Sequence, residues 1–548
     1  MSESKLLRGT MILTAATFIS KILGLIYIFP FTAIVGQQGI ALYSYGYLPY
    51  TVLLSVATLG VPLAVSKFVS KYNALGDYYT GRRLFKSGLI VMSVTGFLSF
   101  ILLFSLAPQI ASWIIRNPDE LNGNSMADIV FTIRMVSTAL LIVPLMSIIR
   151  GYFQGFQSMG PTAVSQVVEQ IVRIIFILSL TFLIVGVYQG EVGLAVGFAT
   201  FGAFVGALGG LAVLLTYWFK RKKYLDRQVE ESTVNQQLPL TKMYKELISY
   251  ALPLSFVGLA IPLFQFIDLF TFNNALQAAG VALAQAEVAF AAFTQTAHKL
   301  ILIPVALATA FSITLVPTIT KSYTDGDHDL MQKQISQTYQ VILFLTLPAA
   351  VGLAVLAYPA FATLYGLEHV EIGGHILRYY APIAIVFSLF AVSAAILQGM
   401  NQQRFAVISL VSGLVVKGAL NYWLIYTFGP IGGVVATYLG YVVAIAINVW
   451  AIGKYANYNY SFVAKRALLI TLFVSAMAVV VIIVRMIAEM ILPMNTWLHE
   501  LIVLAVGVIS GGAFYLWLSI RTQLAVQILG HRLKFLQRKR KKQSEAER

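Results

Sequence analysis

The chain has no cysteine, and only 22 of its 548 residues are acidic. Without cysteine, neither disulfides nor thiolate metal sites can form. Charged residues of both signs make up 11% of the chain, whereas hydrophobic residues make up 58% and the mean hydropathy is +0.80. No soluble domain of this length has that balance. The six histidines show no metal-ligand spacing and there is no phosphate-binding glycine loop, so no enzyme signature, cofactor site or ATP hydrolysis is expected. The net charge of +16 would suggest nucleic acid in a soluble protein. Here the simpler source is basic residues that hold loops in the cytoplasm.

What the chain does have is apolar runs long enough to cross the roughly 30 Å hydrocarbon layer, recurring from end to end. They follow helical rather than alternating patterning. The segment behind MSESKLLRG is too long for a signal-peptide core and reads as a retained helix. Fourteen spans are expected, at 9–35, 43–69, 86–115, 128–152, 161–187, 192–219, 246–273, 288–319, 336–365, 376–400, 405–428, 430–453, 465–489 and 497–520. With both termini cytoplasmic, the inner loops collect Lys71, Arg82, Arg83 and Lys86, then Lys220–Lys223, Lys321, Lys333, Lys454, Lys465 and Arg466. The tail adds Arg538–Lys542. The outer loops hold Arg116 but also Asp119, Glu120, Glu191, Glu287, Glu368, Glu371 and Glu500. That alternation follows the positive-inside rule.

An internal repeat is expected. At a shift of 244 residues Arg134 meets Arg378, Gln154–Gly155 meets Gln398–Gly399, Ser165 meets Ser409 and Arg173 meets Lys417. At a shift of 250, Lys71 meets Lys321 and Gly76–Asp77 meets Gly326–Asp327. Six spans per repeat preserve orientation, so the lobes should be related by an axis along the membrane normal. The chain divides into a first lobe at 1–219, a basic cytoplasmic linker at 220–245, a second lobe at 246–453, two further spans at 454–520 and a basic tail at 521–548. The fold class is an all-α polytopic membrane protein. The tail is most simply a topology determinant near anionic lipid, with binding to a partner protein as the alternative.

Five cations lie inside spans: Lys21, Arg134, Arg173, Lys299 and Lys417. A charge at membrane depth costs about 2.5–3.5 kcal/mol even on a lenient scale, so such residues face a protein interior or a watery cavity. A rise of about 1.5 Å per residue puts Lys21 about 18 Å deep, and all five converge on the middle or outer half of the membrane. Facing inward, they would line a cavity suited to a large anion. Bland readings compete. Glu169 and Arg173 stand four apart on one helical face and can pair. Lys417 can pair with Asp268, Arg378 can snorkel to the surface, and Arg485 with Glu489 is a structural pair. His298 is a helix-packing residue or a pH-sensitive neighbour of Lys299. No Asp or Glu stands three or four residues from Lys21 or Lys299. These two are the leading candidates for substrate contact.

Ser20-Lys21-Ile22-Leu23-Gly24, Lys299-Leu300-Ile301-Leu302-Ile303-Pro304, Gly151-Tyr152-Phe153-Gln154-Gly155 and Thr58-Leu59-Gly60-Val61-Pro62 together resemble motifs of the MurJ lipid II flippases. That family lies within the multidrug/oligosaccharidyl-lipid/polysaccharide exporter superfamily. The similarity is greatest to the Gram-positive branch that includes stage V sporulation protein B. The resemblance implies two six-helix lobes around a V-shaped cavity, with Lys21 and Lys299 at the basic cavity positions. It implies two extra C-terminal helices with a groove for a polyprenyl tail, where Gly507, Gly511 and Gly512 allow close approach or a shallow groove. It also implies alternating access that moves a lipid-linked peptidoglycan precursor across the bacterial plasma membrane. A monomer in contact with membrane lipids and cell-wall synthesis proteins is expected, with no nucleic acid and no resident metal. The chain departs from the family at Tyr27, where a second basic residue is expected. It departs again in span 2, which lacks its basic and acidic residues, and in span 11, where Lys417 replaces sodium-binding carboxylates. Flipping of another lipid-linked oligosaccharide, of capsule or teichoic type, is the nearest rival. A drug antiporter of the same fold is a further one, disfavoured because cations rather than carboxylates line the spans.

Overall fold

The computed structural model describes residues 3–58, 60–115, 123–232, 239–491 and 496–529. Arg116, Asp119, Glu120 and the tail cations Arg538–Lys542 lie outside the described residues. Among the described residues every regular element is helical. The chain forms two compact units, Met1–Ala291 and Ala292–Arg548.

The first unit contains α1 (Glu3–Ile26), α2 (Ile28–Thr58), α3 (Val61–Ala74), α4 (Tyr78–Ile114), α5 (Met126–Ser137), α6 (Val143–Gly155), α7 (Met159–Thr181), α8 (Val192–Glu230), α9 (Leu240–Gly258), α10 (Ala260–Ala278) and α11 (Leu283–Ala291). The second contains α12 (Ala297–Thr324), α13 (His328–Val355), α14 (Ala357–Tyr365), α15 (Val370–Tyr380), α16 (Ile383–Gly399), α17 (Gln403–Phe428), α18 (Pro430–Ala456), α19 (Ser461–Ile491), α20 (Trp497–Arg521) and α21 (Leu524–Leu529). Among the described residues eleven helical stretches are long and apolar enough to cross a membrane, or twelve if the bent pair α15–α16 is one span. The protein is therefore a multi-pass membrane protein. One of the eleven, Ile12–Thr58, is 47 residues long, about twice what a single crossing needs. It is broken at Gly36, whose φ of 69° and ψ of 178° interrupt α2, a conformation open to glycine and costly for other residues. The segment expected to be a linker is mostly helix: α8 carries its helical register through Lys220–Lys223 to Glu230.

The paired positions of the repeat make the same local bonds. Gly76 and Gly326 have φ of 76° and 71° and end α3 and α12 in the left-handed conformation. Asp77 N donates to Tyr72 O at 2.9 Å, and Asp327 N to Ser322 O at 3.0 Å. Each aspartate then caps the next helix: Asp77 accepts from Thr80 N and Asp327 from Leu330 N, both at 2.9 Å. The 244-residue shift is matched in packing. A Cβ on Gly155 would stand 2.6 Å from Val69 Cβ and 3.0 Å from Ser66 O. One on Gly399 would stand 2.8 Å from Ile319 Cβ and 3.1 Å from Val316 O. In both units a glycine lets one helix end press against its neighbour.

Aromatic residues hold the inner core of the first unit. Phe85 stacks on Tyr152 at 4.2 Å, and Arg82 lies 4.6 Å over the Trp218 ring while pairing with Asp226 at 2.9 Å. In the second unit α13, α19 and α20 share a core of Phe344, Phe473, Met477, Val481 and Tyr515. Tyr515 caps it by donating to Phe344 O at 2.9 Å.

Candidate functional site

The first unit sets its polar interior on α7. Tight packing against α8 fixes that helix, because Gly202, Gly206 and Gly210 recur every four residues. A Cβ on Gly206 would stand 2.8 Å from Glu169 O and 2.8 Å from Arg173 Cβ. This is the small-residue spacing by which membrane helices approach closely. With α7 so held, Arg173 Nη2 donates to Tyr47 OH at 2.7 Å and its guanidinium lies 5.1 Å over the Tyr47 ring. Tyr47 stacks on Tyr43 at 5.3 Å, and Tyr27 OH donates to Tyr43 OH at 3.2 Å. Tyr27, at the position where the resemblance leads one to expect a second cation, is thus the far end of a phenol ladder that leads to Arg173.

Glu169 does not close an i, i+4 pair with Arg173 as its principal partner. Its Oε2 accepts from Arg150 Nη2 at 2.8 Å, while Arg150 Nε donates to Ser165 Oγ at 2.9 Å. Arg150 comes from α6, near the end of the apolar stretch Met126–Gly155. The repeat makes the distinction sharper. At the 244-residue shift Arg150 and Glu169 correspond to Ala394 and Gly413, while Arg173 corresponds to Lys417. The second repeat keeps the cation and drops the ion pair.

Lys21 is exposed on α1. Thr17 on the same helix donates to Gln166 at 3.3 Å, and Gly24 lies against Gln170. These contacts make α1 and α7 run in the same direction, with Lys21 at the level of Gln166–Gln170. Arg134 on α5 is half-buried, with its guanidinium 4.9 Å over Phe104; its Nε is buried without a hydrogen bond among the described residues. Asp268, on α10, is 1% exposed.

The sequence also missed a buried carboxylate. Glu287 was expected in an outer loop, but the helix starts earlier, at Leu283, and Glu287 is 0% exposed in its first turns. It accepts from Tyr45 OH at 3.2 Å and from Asn124 N at 3.0 Å, and Asn273 donates to Tyr45 OH at 2.6 Å. The only signal was the helical LAQAEVAFA, which runs through it without a break.

In the second unit a π-helical turn, Ala292–Thr296, precedes Lys299, a distortion common at functional sites. Lys299 is half-buried. His298 beside it is buried against Tyr380, ring nitrogen to hydroxyl 2.9 Å, so it is a packing residue. Lys417 is 1% exposed; its Nζ donates to Thr437 Oγ1 at 2.9 Å and lies 5.7 Å over Phe293. The glycines of α20 divide. Gly507 and Gly511 are buried, and a Cβ there would stand 2.7 Å from Leu356 Cδ2 and 2.5 Å from Val481 Cγ2. Only Gly512 of the three faces open space. Among the described residues no group of His, Asp and Glu is placed to hold a metal ion.

Residues 6–323 match the family model described as polysaccharide biosynthesis protein. The chain is 49% identical over 535 residues to the lipid II flippase MurJ of Bacillus subtilis (strain 168), covering 97% of this chain and 98% of that one. It is 25% identical to stage V sporulation protein B of the same organism, over 83% of this chain and 85% of that one. Among solved structures, "Lipid II flippase MurJ, inward closed conformation" superposes with a TM-score of 0.62 at 14% identity, covering 93% of this chain and 99% of that one. An inward-facing multidrug transporter of the MATE family gives 0.65 at 15% identity, over 80% and 95%. The fold is the one these transporters share, and the chain belongs to the polysaccharide biosynthesis protein family, in the group that contains the Bacillus subtilis lipid II flippase MurJ.

Proposed function

We propose that this protein is a lipid II flippase: it moves the undecaprenyl-diphosphate-linked peptidoglycan precursor from the inner to the outer leaflet of a bacterial plasma membrane. The observation that carries this reading is the 49% identity to the lipid II flippase MurJ across nearly the whole of both chains. The site chemistry supports it. Lys21, Arg134 and Arg173 of the first unit and Lys299 and Lys417 of the second supply cations for the diphosphate. Charge-assisted hydrogen bonds from such groups are about twice as strong as neutral ones. The half-buried Tyr47 beside Arg173 offers a hydroxyl-bearing ring suited to a glycan, backed by the buried Tyr43 and Tyr27. No bond is made or broken in moving the lipid, so the chain needs no catalytic residue and no cofactor.

The same reading includes fourteen crossings, both termini in the cytoplasm, two six-helix lobes and two further spans, α19 and α20, that carry the polyprenyl tail. The break at Gly36, which divides the 47-residue stretch, and the α9–α10 pair supply the crossings that hydropathy alone does not separate. The chain works as a monomer within the lipid bilayer, and cell-wall synthesis proteins are its expected neighbours. The deciding experiment is depletion of the protein in a cell lacking related flippases, with outer-leaflet lipid II measured directly. Loss of outer-leaflet lipid II on depletion and its return on re-expression support the assignment. Unchanged lipid II with loss of a different surface glycan assigns the protein to another lipid-linked oligosaccharide.

A further inference from the structure

A cavity of about 550 Å³ lies in the second unit, lined by Val351, Val355, Arg378, Ile482, Arg485 and Glu489 among others. It lies between α13, the α15–α16 bend and α19, apart from Lys299 and Lys417. We propose that it binds the headgroup of an anionic bilayer phospholipid, one carrying a single phosphodiester.

Three observations lead there. The first is level. Arg485 stands six residues before the end of α19 at Ile491, about 9 Å along the axis, which is headgroup depth for a spanning helix. Trp497 at the start of α20 is exposed and donates Nε1 to Thr363 O at 2.8 Å, the position of an interfacial aromatic anchor. The second is charge. Arg485 donates Nε to Glu489 Oε1 and Nη1 to Val355 O at 3.0 Å. Those two bonds fix its guanidinium and set its single charge against the carboxylate. Arg378 is exposed and lines the same cavity. Glu500, within electrostatic reach of Arg485 and Glu489, lies outside the lining; among the residues that line the cavity, two guanidiniums and one carboxylate leave a net single positive charge. That balances one phosphodiester and falls short of a diphosphate, which carries more. Arginine presents the planar fork that phosphate oxygens match. The third is the wall. Ile482 and Met486 line the cavity and are 43% and 53% exposed, so acyl chains leaving the headgroup meet a continuous apolar face of α19.

Binding by the full-length protein in detergent, read by native mass spectrometry and by thermal stability, tests this. The probes are phosphatidylglycerol, phosphatidylcholine, inorganic phosphate and undecaprenyl diphosphate. Phosphatidylglycerol is expected to bind and raise Tm. Arg378→Gln should weaken it by about tenfold or more, the loss of one charged hydrogen-bonding group, and Arg378→Lys should keep part of it. The Arg378 side chain is exposed, and the variant's unliganded Tm serves as the folding control. Equal binding of phosphatidylcholine, unchanged binding by a folded Arg378→Gln, or displacement by millimolar inorganic phosphate would each overturn the proposal. Tighter capture of undecaprenyl diphosphate through Arg378 would also overturn it, assigning the cavity to substrate instead. None of these readouts depends on flipping, so the site stands or falls separately from the transport function.

Discussion

Arg150 and Glu169 are joined across two helices by a 2.8 Å ion pair, with side chains 14% and 20% exposed. This pair leaves Arg173, one turn along α7 from Glu169, to be held by Tyr47 instead. The two arginines are therefore held differently: Arg150 fixes α6 to α7, while Arg173, held by Tyr47, is the one proposed to meet an anion.

Replacing Arg150 should damage stability, and replacing Arg173 should damage transport. Removing one partner of a mostly buried pair strands the other at a cost of about 1–3 kcal/mol. Arg150→Ala is expected to lower the Tm of the purified protein, and a double-mutant cycle with Glu169→Ala should show coupling of about 0.5–3 kcal/mol. Arg173→Ala should keep a near-normal Tm and lose most flipping. A larger coupling of Glu169 to Arg173 than to Arg150 in the same cycle would reverse the assignment.

Lys299 follows a π-helical turn, and the proposed function makes its charge the property to test. Lys299→Ala should abolish appearance of lipid II in the outer leaflet while the protein still inserts in the membrane. Lys299→Arg should retain part of the activity. Wild-type flipping by the alanine variant, at equal expression, would remove Lys299 from the site.

Thr437 supplies an acceptor to the buried Lys417 ammonium at 2.9 Å. Thr437→Val keeps the shape and removes the oxygen, so a buried charged donor loses a partner at a cost of about 1–3 kcal/mol. Thermal unfolding should show a lower Tm for Thr437→Val, and Thr437→Ser should restore it. Equal Tm values for the three proteins would mean that this hydrogen bond contributes nothing to stability.

The glycines of α20 should separate packing from tail binding. Gly511→Phe drives a ring into Val481 and should lower Tm and transport of any substrate. Gly512→Phe points into open space and should leave Tm unchanged. If α20 carries the polyprenyl tail, Gly512→Phe should slow a long-chain substrate more than a short-chain analogue. Equal rates for both chain lengths would detach the tail from this face.

Much of the fold is set by rules local to the chain. Apolar runs become membrane helices because an unpaired backbone amide in hydrocarbon is too costly. Gly76–Asp77 and Gly326–Asp327 end one helix and cap the next because a left-handed glycine and a side-chain acceptor are enough to do so, and their spacing shows the repeat before any contact is known. The motifs around Lys21 and Lys299 likewise placed the chain beside its relatives. Tertiary structure alone decided the partners. Sequence spacing offers Glu169 only the neighbour four residues on, whereas the approach of α6 brings Arg150 to the same carboxylate. Glu287 reads as a loop residue until the first turns of α11 bury it against Tyr45 and Asn124. Gly511 and Gly512 are adjacent in sequence, yet helical rotation of about 100° per residue turns one into α19 and the other away from it. A charge or a small side chain is written in the sequence, but the group it meets depends on distances across helices, which fixed separations along one chain do not encode.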